Sequence, residues 1–116
     1  GCTRLTALPP LQSLADLTRL DVFGCERLRQ LPLLGALSAL RDLDITHCAL
    51  LQRLPDSFGL LGALTKLSVA HCKALASLPG SLCATPGLVE LDLTCCDALT
   101  ALPQRVGDLT TLWRLH

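Results

Sequence analysis

The chain has 116 residues, the size of one ordinary domain, and half of them are hydrophobic although aromatic side chains make up only 3%. Acidic and basic residues balance to a formal net charge of zero, which argues against a dedicated nucleic-acid binder, because that needs a concentrated basic surface. No apolar run approaches the ~20 residues of a membrane span, and the opening Gly-Cys-Thr-Arg lacks the basic region and apolar stretch of a signal peptide.

Taken from its start, the chain is periodic. Leu-Pro recurs at Leu8-Pro9, Leu31-Pro32, Leu54-Pro55, Leu78-Pro79 and Leu102-Pro103, and cysteine recurs in step at Cys2, Cys25, Cys48, Cys72 and Cys96. One further leucine sits between each such cysteine and its Leu-Pro: Leu5, Leu28, Leu51, Leu75 and Leu99. Ahead of the cysteines lie the copies LTRLDVFGC, LRDLDITHC, LTKLSVAHC and LVELDLTCC, and a fifth copy starts at Leu112. Within them Leu20 and Val22 alternate with outward residues, as do Leu43 and Ile45, Leu67 and Val69, and Leu91 and Leu93. That alternation predicts a short strand with one buried face per copy. The proline cannot donate to a strand ladder, so it marks the turn away from the strand side. Segments such as DSFGLLGA and QRVGDLTT are too short for a long helix and predict turns or 3₁₀ pieces. A unit this small cannot close a core alone, so copies must stack, pairing their strands in parallel and aligning their leucines in columns.

The resulting unit, LxxLxLxxCxxLxxLPxx[LFV]xx[LT]xx, resembles the leucine-rich repeats of plant intracellular nucleotide-binding immune receptors of the Toll/interleukin-receptor-type class, and related repeat arrays of mosses; TKLSVAHCKALASLPGSL and VELDLTCCDALTALPQRVGDLTTL carry the likeness. The resemblance implies an α/β solenoid: a right-handed leucine-rich-repeat superhelix with a parallel sheet on its concave face and turns or 3₁₀ segments on its convex face. It covers residues 1–116 as one domain of about five repeats and implies a cytoplasmic protein-recognition module, the sensing or interaction part of a larger protein. Asparagine stands at the cysteine position in many other repeats of this kind, turning inward to satisfy backbone groups at the bend. Cysteine is small, readily buried and a weak donor, so the in-step cysteines are expected to be structural and reduced. The alternative, disulfides between coils ~5 Å apart, needs side chains turned toward each other, whereas a ladder holds them parallel.

The outward strand positions form columns across the coils. Arg19, Asp42, Lys66, Glu90 and Arg114 alternate in charge and are expected to form weak exposed pairs. Asp21, Asp44, Ser68 and Asp92 place like charges ~5 Å apart, a repulsion that marks the column as a binding candidate. Phe23, Thr46, Ala70 and Thr94 are small apart from Phe23, which is either an anchor or packs on a neighbouring coil. Gly24, His47, His71 and Cys95 form the most chemical-looking column; His47, His71 and Cys95 are zinc-ligand types on successive coils, but a row of ligands ~5 Å apart does not make a tetrahedron. A plain contact surface is the favoured reading of that column. Past the cysteines, Arg4, Arg27, Arg29, Arg53 and Lys73 against Glu26 and Asp97 make the N-terminal half of the rim basic, which either steers an acidic partner or is a solvated edge.

The sequence holds no GxSxG, HExxH or glycine-rich phosphate loop, so no catalytic residue, enzyme activity, cofactor or resident metal is assigned. The expected partner is another protein rather than nucleic acid or a membrane. The alternative is a scaffolding array inside a large assembly. The leucines near each end, Leu5 to Leu14 and Leu109 to Leu115, read as uncapped columns, expected either to continue into a longer array or to meet neighbouring chains head to tail.

Overall fold

In the computed structural model, residues 15–31, 34–55, 58–85 and 87–100 are described, together with the backbone of a short strand at Arg114–Leu115. Cys2, Cys83 and the end columns lie outside the described side chains. Five strands follow in chain order: β1 (Arg19–Asp21), β2 (Asp42–Asp44), β3 (Lys66–Ser68), β4 (Glu90–Asp92) and β5 (Arg114–Leu115). They form one parallel sheet in the order β1-β2-β3-β4-β5. The register pairs Arg19 with Asp42, Asp42 with Lys66, Lys66 with Glu90 and Glu90 with Arg114, so every repeat occupies one coil and equivalent residues lie side by side.

The rest of each coil is a string of tight turns. Backbone bonds from residue i+3 to residue i run Cys48→Ile45 and Leu51→Cys48, and later in the same coil Leu61→Phe58 and Leu64→Leu61. Each such bond returns the chain to the same azimuth after three residues. That is why leucines spaced by three, rather than by the 3.6 of an α-helix, all point inward. On the side opposite the sheet, 3₁₀ turns form at Phe58–Leu60 and Gly80–Ala84, as the short segments predict. The second starts after Pro79, whose extended backbone lets the chain enter the turn.

The core is the stack of these inward columns. Leu28, Leu34, Leu37, Leu40, Leu43, Ile45, Leu51, Phe58, Leu61, Leu64, Leu75, Leu88 and Leu91 are fully buried. With so few aromatics, burial of these aliphatic side chains, each worth about 1.5–3 kcal/mol, is the main stabilising term. Phe58 takes a leucine position on the turn side without exposure. Thr85 stands where the preceding coils carry Leu37 and Leu61, and its buried hydroxyl donates to the Phe58 carbonyl at 3.3 Å. That bond removes the penalty of placing a hydroxyl in an aliphatic column.

Candidate functional site

The site is built from the strand residues that face outward and the turn that follows them. Leu43, Leu67 and Leu91 are buried at the centres of β2, β3 and β4, which leaves both flanking residues on the open face of the sheet. The alternating charge column exists in the expected register. Among the described residues its cross-coil ion pair is Lys66 Nζ to Glu90 Oε2 at 3.8 Å, whereas Arg19 turns along its own strand to Asp21 at 3.9 Å. These heads are solvated, so the pairs add little stability. A hollow of about 140 Å³ opens over this part of the sheet, lined by Asp42, Asp44, Glu90 and Asp92 against Arg19 and Lys66. Carboxylates thus outnumber cations two to one within it.

The acidic column has a local structural role that its like charges did not suggest. Asp21 Oδ1 accepts from the backbone N–H of Phe23 at 2.9 Å, Asp44 Oδ1 from Thr46 at 2.9 Å, and Asp92 Oδ1 from Thr94 at 3.0 Å. In the third coil Ser68 supplies the acceptor for Ala70, at 3.5 Å. Each side chain closes an Asx- or Ser-type turn that stops the strand. The stabilisation from these bonds offsets the repulsion between neighbouring carboxylates. Thr46 and Ser68 hydroxyls also bond each other at 2.8 Å across coils.

The next column is held in an uncommon conformation. Gly24 has φ 73°, and His47, His71 and Cys95 have φ 64°, 59° and 57°. They occupy the third position of a turn closed by Cys25→Val22, Cys48→Ile45, Cys72→Val69 and Cys96→Leu93 backbone bonds. A turn of that form requires positive φ at its third residue and favours glycine there. The amides of Gly24, His47 and His71 donate to the carbonyls of Thr46, Ala70 and Thr94 on the following coil, which holds the conformation. The His47 and His71 rings stack with centroids 4.4 Å apart and planes within 1° of parallel. Phe23, 48% exposed, abuts His47 edge-on at 5.3 Å. Thus Phe23 both packs on a neighbouring coil and stays open to solvent.

That geometry bears on the zinc-ligand reading of His47, His71 and Cys95. Parallel stacked rings aim their in-plane lone pairs side by side rather than at one point. Among the described residues no group of three or more His, Cys, Asp and Glu gathers as metal ligands would.

Beneath the turns, the ladder cysteines face inward. Cys48 donates its thiol to the Val22 carbonyl at 3.3 Å, Cys72 to Ile45 at 3.1 Å and Cys96 to Val69 at 3.1 Å, each reaching the preceding coil. Cys25, Cys48, Cys72, Cys95 and Cys96 are free thiols. Burial pushes the Cys48 thiol up to about 12, with the neighbouring Cys72 and Cys25 and the Asp44 carboxylate adding to it. Burial likewise pushes Cys72 up to about 11 and raises Cys96, the latter aided by Asp92, Asp97 and Cys95. These thiols are donors locked in the protonated form, not nucleophiles.

Residues 39–61 match the leucine-rich repeat family model. The fold is a leucine-rich-repeat solenoid. It is similar to the leucine-rich repeat domain of the type III effector XopL, with 26% identity and a TM-score of 0.71 over 95% of this chain and 38% of that one. It is also similar to a leucine-rich-repeat protein of Leptospira interrogans, with 26% identity and a TM-score of 0.65 over 96% of this chain and 34% of that one. The chain therefore spans little more than a third of the length of either structure. No curated protein sequence matches it. Leucine-rich-repeat domains generally mediate protein–protein interaction and are generally not catalytic. Among the described residues, no helix is long and apolar enough to cross a membrane.

Proposed function

We propose that this solenoid recognises another protein through the open face of its sheet, using Arg19, Asp21, Asp42, Asp44, Lys66, Ser68, Glu90 and Asp92 together with Phe23, Thr46, His47, Ala70, His71, Thr94 and Cys95 of the following turns. The observation that carries the reading is the hollow over β1 to β4, where outward side chains from successive coils line one concave, charged surface. Its carboxylate excess disfavours phosphate backbones and hence nucleic acid. The context we infer is the sensing part of a larger cytoplasmic protein of the plant immune-receptor kind. That finer reading rests on the reduced cysteine ladder, which suits a reducing compartment and matches the repeat type the sequence resembles.

A random-peptide display selection against the folded chain tests the surface. Binders are expected to be lost on an Asp42→Lys, Glu90→Lys double variant that keeps its circular dichroism, and to survive Leu60→Asp on the exposed turn side. Binders that survive the double variant and are lost on Leu60→Asp would overturn the assignment of the face.

A further inference from the structure

The partner's chemistry can be taken further, resting on the concave-face reading above. Positive φ strains any residue with a β-carbon, and this chain uses glycine for it at Gly24, yet the next three coils carry His47, His71 and Cys95. The two imidazoles do not turn inward to repair the strain. They stack on each other at the surface, with His47 exposed and His71 half-buried, and Phe23 closes one end of the row. The far face of His71 looks along the stack axis to the β4 coil, where the column narrows to the small, exposed Cys95. A planar group can continue the row there at ring-stacking distance.

Charge selects which planar group. Asp92 caps the turn that carries Cys95, and Asp97 follows two residues later; both lie close enough to Cys96 to raise its thiol. Asp44 and Glu90 border the adjoining hollow. Among the described residues, the cations on these coils are Lys66, which is paired with Glu90, and the exposed Lys73 beyond Cys72. A nucleobase would bring its phosphate against these carboxylates. A lysine has no flat face to stack. A guanidinium offers both a planar face for the imidazole and a fork of N–H donors for carboxylates.

We propose that the Phe23–His47–His71 row and the carboxylates beside Cys95 form a docking site for an arginine side chain on a protein partner. The test is NMR titration of the His47 and His71 ring signals with acetyl-Gly-Arg-Gly-amide, its lysine and citrulline counterparts, and a uridine-only oligonucleotide. The arginine peptide is expected to shift the His71 ring saturably, about tenfold more tightly than the lysine peptide. Citrulline, planar but neutral, is expected to bind no better than lysine. His71→Gly removes the ring on a backbone that suits glycine, so the fold is retained while arginine binding falls to the lysine level. Equal binding of arginine and lysine peptides, arginine binding unchanged in His71→Gly, or tighter binding of the oligonucleotide would each overturn the proposal. If peptides selected on the concave face are lost on its charge reversal but show no arginine preference, the recognition reading stands and this one falls.

Discussion

Raising the pH should destabilise this protein through its buried thiols. In the unfolded chain a cysteine ionises near 9.0, whereas burial holds Cys48 neutral up to about 12 and Cys72 up to about 11. Because the folded values lie above the unfolded one, the thiols' contribution is intact below pH ~9 and drains away as pH climbs toward the folded values. Each pH unit in that window favours the unfolded state by about 1.4 kcal/mol per thiol. At pH ~10.5 the two together remove about 4 kcal/mol, a large share of the ~5–15 kcal/mol that stabilises a domain. The composition makes the assay clean, since the chain has no tyrosine and its lysines are the exposed Lys66 and Lys73. Urea unfolding in reductant at pH ~8 and ~10.5 measures the difference as a drop in midpoint. The Cys48→Ala, Cys72→Ala double variant should be less stable at the lower pH but should lose much less on going to the higher one. A midpoint that does not move with pH, or a double variant that falls as steeply as the parent, would refute the argument that these thiols are buried donors.

Leu43→Ala should cost about 2–5 kcal/mol in urea unfolding, because its fully buried side chain packs between coils on both sides. Asp44→Ala should cost about 1 kcal/mol by removing the acceptor for the Thr46 amide, while Asp44→Asn, which keeps an acceptor oxygen, should be close to neutral in the same assay. Among the described thiols, Cys95 should react first with a thiol reagent under native conditions, and Cys25, Cys48 and Cys72 should react only as fast as the protein opens; stopped-flow absorbance, compared with a Cys95→Ser variant, identifies the fast phase.

The register of the sheet was legible from the sequence because a one-residue slip would turn Leu43, Leu67 and Leu91 out of the core. The inward cysteines were legible for a related reason: a small, weakly polar residue repeated just past a strand has few places to go but the bend. Two features of the site were missed, and each had a signal. Gly24 shares a column with His47, His71 and Cys95, and a glycine at one copy points to positive φ at all of them. The sequence reading weighs that column as zinc-ligand types against a plain contact surface, and neither alternative addresses its backbone conformation. The Asp21, Asp44 and Asp92 column was weighed as electrostatic repulsion between coils, yet aspartate at the last position of a strand is a turn former, its side chain accepting from the amide two residues on. What had no sequence signal is the ring stack, since its parallel geometry depends on rotamers that only the packed turns decide.

The direction of the bonds between coils has a consequence for how the chain is made. Gly24, His47 and His71 send their turn amides forward, to Thr46, Ala70 and Thr94, and the Val22 and Ile45 carbonyls receive a thiol from the coil ahead. A coil leaving the ribosome therefore holds its strained turn without a partner until its successor arrives. Synthesis from the N-terminus delivers that successor next, so closure trails translation by one coil and moves in a single direction along the array.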